Sequence, residues 1–175
     1  MDNLPDDPGT RFGMVIGGVY RAMLRRLGRR FATAGYNVTP EQWSVLLHLW
    51  RADGPSQQTL ADLTDRDKPT IARMVDVLEK RGLVTRTSHQ SDGRIKQVFL
   101  TESGQAARAG LLAGSRVALE GALSGIEPGE LSMALSVLER MRANLESLSS
   151  EDASHANQSI PRVVQAAEAG SEADP

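Results

Sequence analysis

At Gly82 the spacing of apolar residues changes, and this change constrains the fold more than any other feature of the chain. Before it, "PTIARMVDVLEKRG" (69–82) places Ile71, Met74, Val75 and Leu78 at the three-and-four spacing of one helix face. After it, "LVTRT" and "IKQVFL" are rich in β-branched and apolar residues, with the turn-forming "SHQSDG" between them. Two such runs around a polar turn predict a two-stranded hairpin. Upstream, a short helix is expected after Ser56, carrying Leu60, Ala61 and Leu63, and "TDRDK" separates it from the helix opened by Pro69. Two helices joined by a short polar turn, the second opening on Pro-Thr, read as a helix-turn-helix.

The flanks are helical as well. Residues 11–34 place Phe12, Ile16, Val19, Tyr20, Met23, Leu24, Leu27 and Phe31 on one face, with Arg21, Arg25, Arg26, Arg29 and Arg30 elsewhere and Gly35 as terminator. In "NVTPEQWSVLLHLW", Thr39 and Gln42 have capping-box spacing, Pro40 falls at the first helical position, and Val38 and Trp43 are placed as a hydrophobic staple. Trp43, Leu46, Leu47 and Trp50 are expected to line the inner face, and Gly54-Pro55 ends the element. Thr101 is placed to cap a helix running to about Gly125. A last helix starts near Pro128, with a stripe from Leu131 through Leu138 and Leu145 to Leu148.

Composition removes several classes of function. There is no cysteine, hence no disulfide, thiolate metal site or cysteine nucleophile. No apolar run approaches a membrane span, no leader pattern opens the chain, and a cytoplasmic location is expected. The net charge of −2 hides a separation. Three aspartates give residues 1–9 a charge of −3, and five acids with Arg162 give residues 151–175 a charge of −4, which leaves residues 10–150 at +5. A basic body is the more useful statistic for a nucleic-acid partner. No glycine-rich phosphate loop and no Ser/His/Asp motif is present, so an enzyme is not expected. His48, His89 and His155 lie in different segments without metal-ligand spacing, and neither a metal nor a cofactor is expected.

Helix-turn-helix followed by a hairpin is the winged arrangement. A helix fits the DNA major groove, where each base pair shows a distinct donor and acceptor pattern. A hairpin on the same body reaches the neighbouring minor groove. The candidate DNA-contacting residues are Lys68, Pro69, Thr70, Ala72, Arg73 and Val77 on the helix, and Arg86, Asp92, Arg94 and Lys96 on the hairpin. Arg73 has the fork to pair with guanine O6 and N7; the Ala72 methyl suits a thymine methyl. Arg94 beside the turn suits a narrow A·T-rich minor groove, which attracts cations. Gly93 permits the tight turn, and Asp92 is placed to hold Arg94. The plainer alternative for the helix is a solvated face with an Arg73–Asp76 or Asp76–Lys80 pair.

From about Val38 to Gln105 the chain resembles the MarR family of transcription regulators. The matching stretches are "LADLTDRDKPTIARMVDVLEKRGLVTR" and "SDGRIKQVFLTESG", the second holding the family's Asp-x-Arg wing signature as Asp92-Gly93-Arg94. With the flanking helices the resemblance spans roughly 11–148. One departure is the turn "TDRDK", which lacks the glycine of many helix-turn-helix motifs. The resemblance implies a mainly α fold with a small β-hairpin wing. Its expected parts are a disordered arm (1–10), an N-terminal dimerisation helix (11–36), a winged helix-turn-helix domain (37–101), C-terminal dimerisation helices (102–148) and a flexible acidic tail (149–175). It further implies a homodimer on a palindromic double-stranded operator, usually a repressor, released by a small aromatic effector. Tyr20, Trp43, His48 and Trp50 lie on helices that border the family's ligand pocket, but the residues themselves assign no ligand site. A winged-helix module that binds protein and not DNA is the competing reading, since a surplus of +5 on residues 10–150 is modest.

Overall fold

The computed structural model describes residues 7–88 and 94–158, with side chains through Leu148. It is mainly α-helical with one hairpin, and the chain forms two compact units that meet in sequence at Ser124 and Gly125. The first holds α1 (Pro8–Thr33), α2 (Pro40–Arg51), α3 (Gln57–Thr64), α4 (Lys68–Lys80), β1 (Val84–Ser88), β2 (Lys96–Leu100) and α5 (Glu102–Leu123). The second holds α6 (Pro128–Gln158).

The helix starts follow from side-chain capping. Asp7 accepts from the Thr10 amide at 2.9 Å, so α1 begins at Pro8, inside the segment expected to be a disordered arm. Residues 1–6 lie outside the described part. Thr39 caps α2 with the reciprocal Gln42 bond of a capping box. Ser56, Asp67 and Thr101 cap α3, α4 and α5 by accepting from the third amide beyond each. Such caps are worth about 1 kcal/mol each because they satisfy amides that have no partner within the helix. Gly35 and Gly82, with φ of +82° and +70°, end α1 and α4 as expected. At its far end α6 continues to Gln158, so the first part of the segment expected to be a tail is helical.

The turn between α3 and α4 has no glycine, and its geometry accounts for that. Asp65 takes the left-handed conformation (φ 52°, ψ 52°) and is the one non-glycine with positive φ among the described residues. The left-handed well costs most residues about 1–2 kcal/mol, less for Asp and Asn. Asp65 thus does what glycine does in related turns.

The core of the first unit is built from Phe31, Leu46, Leu49, Leu60, Ile71, Val75, Leu78, Val84, Val98 and Leu111. Each full burial of such a side chain stabilises by about 1.5–3 kcal/mol. On α2 the fully buried positions are Val45, Leu46 and Leu49, not Leu47 or the tryptophans expected there. α2 is packed by α1, α3, α4, α5 and β2, so the indoles occupy the perimeter of a helix covered on several sides. There Trp50 Nε1 donates to the Gly104 carbonyl at 3.1 Å.

The strands pair antiparallel from Val84↔Leu100 to Ser88↔Lys96. The far edge of β2 meets the α2–α3 turn. Gly54 N donates to Val98 O at 3.1 Å, Val98 N to Pro55 O at 3.0 Å, and Leu100 N to Asp53 Oδ1 at 2.9 Å. The hairpin is therefore held on that edge from Val98 to Leu100.

The start of α5 is seated tightly under the hairpin. Thr101 N donates to Leu83 O at 3.1 Å, and a Cβ on Gly104 would lie 2.0 Å from that same oxygen. Gly104→Ala is expected to lower unfolding free energy by at least about 2 kcal/mol, since overpacking against a backbone atom cannot relax by a rotamer change. Gly18→Ala, where nothing lies within 4 Å of the added carbon, is expected to stabilise by up to about 1 kcal/mol. Urea titration of the two variants checks both signs.

Candidate nucleic-acid interface

α4 begins with a cap that also shapes its charged end. Asp67 Oδ1 accepts from the Thr70 amide at 2.6 Å, and that bond holds its carboxyl below the usual aspartate range. Lys68 and Pro69 are exposed in the first turn, and Thr70 and Ala72 are half-buried. Arg73 is exposed, and its Nε donates to the Pro69 carbonyl at 3.3 Å, laying the side chain back along the turn. Val77 is half-buried.

Two bonds anchor the other end of α4. Arg81, its C-cap, donates through Nη1 to the Asn37 carbonyl and to Gln42 Oε1, the latter at 2.7 Å. Gln42 is itself buried and closes the α2 capping box. The helix end is thereby tied to the α1–α2 corner.

The hairpin carries Arg94 and Lys96, both exposed. Lys96 Nζ donates to Ser88 Oγ across the strands at 2.7 Å. Asp92, expected to hold Arg94, lies outside the described residues, as does Gly93.

Arg86 is placed differently from the expectation that it supplies charge to the wing. Its Nη1 meets Asp76 Oδ1 at 2.7 Å, while Nη2 and Nε donate to Glu79 Oε2 at 2.6 and 3.1 Å. The Arg86 amide also donates to Glu79 Oε1 at 3.0 Å. One guanidinium and one backbone amide on β1 thus hold two carboxylates three residues apart on α4. The Asp76 partner is Arg86 and not Arg73 or Lys80, so neither within-helix pair forms. Isolated surface pairs contribute about 0–1 kcal/mol, but a forked, shared arginine is the geometry in which they matter.

This arrangement reassigns charge. Asp76 and Glu79, which on a bare helix would oppose a polyanion, share Arg86, which offsets half of their charge. Lys68, Arg73, Arg94 and Lys96 remain as exposed cations on elements that the same clamp joins. Sequence reasoning missed Asp76, Glu79 and Arg81 as interface scaffolding. The acid spacing on α4 was a signal, but its partner sits on another element.

The aromatic candidates are dispersed. Tyr20 is exposed on α1, and His48 is half-buried, its imidazole kept below the usual value by burial and by nearby Arg51. Trp50 is committed to Gly104. Trp43 stacks obliquely on Phe31, centroids 5.6 Å apart, and its buried Nε1 has no acceptor among the described residues. Among the described residues no group of three His, Asp or Glu is placed to hold a metal ion.

Comparison with known proteins follows this geometry. A family model described as the MarR family matches residues 38–96. An uncharacterised HTH-type transcriptional regulator, YybA, of Bacillus subtilis (strain 168) is 29% identical over 110 residues, covering 63% of this chain and 73% of the relative. A solved structure described as a probable transcriptional regulator from Pseudomonas aeruginosa is 34% identical with a TM-score of 0.62, covering 72% of this chain and 96% of that one. A MarR transcriptional regulator from Methanosarcina mazei Go1 is 27% identical with a TM-score of 0.71, covering 79% and 99%.

The clamp has a pH signature. Hydrogen bonds from Arg86 hold the Glu79 carboxyl below its ordinary range. A depressed carboxylate stabilises the fold above its unfolded value, about 4.3, and that stabilisation is lost as pH falls through the folded value. The urea midpoint of the wild type is therefore expected to fall as pH drops below about 4.5, and Glu79→Gln to flatten that limb. Identical acid limbs would show that Glu79 is not engaged in solution.

Proposed function

Because this chain belongs to the MarR family of transcriptional regulators, we propose that it acts as a homodimeric DNA-binding repressor on a palindromic operator, released by a small aromatic ligand. In this reading α4 enters the major groove and the hairpin reaches the adjacent minor groove. One observation carries the DNA assignment. The hairpin is pinned to α4 by Arg86, both acids of α4 are paired there with one shared guanidinium, and exposed Lys68, Arg73, Arg94 and Lys96 lie on the joined elements. A protein-docking wing has no need of that separation of charge.

Several exposed apolar side chains support the dimer. Val15 and Val19 on α1, Leu119 and Leu123 on α5, and Leu135 and Leu145 on α6 are all exposed. Monomeric soluble proteins rarely leave so much apolar surface uncovered. The buried, unpaired indole N–H of Trp43 beside Phe31 favours an aromatic effector that carries an acceptor. Among the described residues no helix is long and apolar enough to cross a membrane.

The reading is tested by selecting bound genomic fragments and then titrating one selected duplex at fixed salt. Arg94→Ala is expected to weaken binding at least tenfold with folding and mass unchanged. Arg73→Ala is expected to cost about 1–3 kcal/mol on the selected duplex and much less on a scrambled one, as befits a base contact. Equal affinities for all three proteins would remove these residues from the interface. In light scattering the wild type is expected at twice the chain mass, and Leu119→Glu with Leu123→Glu at the chain mass.

A further inference from the structure

We infer that Arg86, Asp76 and Glu79 are positioning residues that set sequence specificity by fixing the angle between wing and recognition helix, and that Arg86 is not a phosphate ligand. The inference rests on the DNA-binding reading above and concerns how that site discriminates.

Three observations carry it. First, all three guanidinium nitrogens of Arg86 are engaged: Nη1 by Asp76 at 2.7 Å, Nη2 and Nε by Glu79 at 2.6 and 3.1 Å. A phosphate would have to compete with two carboxylates already in place for the two remaining N–H groups. Second, Glu79 is bound at both oxygens, with the Arg86 backbone amide on Oε1 at 3.0 Å. Because that bond is to main chain, the carboxylate grips the strand itself as well as a movable side chain. Third, β2 is held independently through Asp53, Gly54 and Pro55. The hairpin is fixed on one edge to the α2–α3 turn, and the clamp supplies the opposing attachment to α4.

The consequence follows from how the two modes of DNA binding differ. Non-specific binding depends on phosphate contacts and tolerates small errors of angle. Specific binding requires base contacts in the major groove while the wing occupies the minor groove. Loosening the clamp should therefore harm specific binding and spare non-specific binding. It also reverses a sign. Removing a carboxylate from a helix that faces a polyanion should tighten binding by simple electrostatics, whereas removing the Glu79 grip should weaken specific binding.

The test titrates wild type, Glu79→Gln, Arg86→Gln and the double variant against a selected and a scrambled duplex over a range of salt. Helical signal and mass are recorded at the assay temperature, and Asp76→Asn serves as the milder variant if another fails to fold. Each single variant is expected to lower the ratio of specific to non-specific affinity about tenfold, and the double variant no further than the worse single. The salt slope should stay that of the wild type. Glu79→Gln tightening both duplexes would overturn the inference. So would a slope lowered by about 0.9 in Arg86→Gln, the mark of one lost phosphate contact. A loss equal on both duplexes, with the ratio kept, would reduce the clamp to a general structural role and overturn it too. A wild type that prefers no selected duplex would overturn the DNA reading itself, whereas a preference kept by every variant would overturn the clamp alone.

Discussion

The close seating of Gly104 beneath the Leu83 carbonyl is the contact on which the arrangement of α4, the hairpin and α5 depends. At this point α4 has just ended at Lys80, β1 is about to begin, and α5 starts. The Leu83 oxygen accepts from Thr101 N, the Thr101 hydroxyl donates to the Gly82 carbonyl, and the Gly104 carbonyl accepts from the Trp50 indole. The hydroxyl also accepts from Gly104 N at 3.0 Å to cap α5. Any side chain at position 104 would separate these groups. Four elements share one junction, so the direction of α5 and the exit of the wing from α4 are set together.

From that junction outward α4 is held at three further places, each by different chemistry. Its entry is set by the left-handed Asp65 and the Asp67 cap, its rear by Arg81 on the α1–α2 corner, and its flank by Arg86. The underside is buried apolar surface from Ile71, Val75 and Leu78. Burial supplies most of the stability, but it is non-directional. Rotation of a helix about its axis is resisted by the directed bonds. In this protein those bonds use up acids that would otherwise face an anionic partner.

What was legible in the residues divides along the same line. Thr39 and Thr101 act within three residues of themselves, so their caps could be read directly, whereas Asp67 reads as part of the turn and proves to cap α4. The glycine stops and the hairpin depend on backbone preference alone. Arg86 could not be read, because its partners lie seven and ten positions earlier, across a change of element, and their meeting depends on a tertiary angle. Asp65 was hidden because aspartate is an uncommon occupant of the left-handed well, although its position in a turn without glycine pointed to it. On α2, periodicity assumed a single buried side, and five packing elements blurred it. The helical run beyond Ser149 has no apolar stripe, but no proline interrupts it between Pro128 and Pro161.

The overall charge misleads for a physical reason. At 0.15 M salt, exposed charges interact over about 8 Å, so a helix surface responds to its neighbours and not to the sum over the chain. The acids at 1–9 and 151–175 are far away in sequence from α4 and the hairpin, the two acids within α4 are bound to Arg86, and Asp67 is engaged in capping the helix. Pairing them with one shared arginine, instead of replacing them, lets one set of charges serve twice. It halves their net negative charge, and it turns the paired charge into a directed bond between strand and helix. A hairpin fixed by such bonds has no hinge at its paired strands.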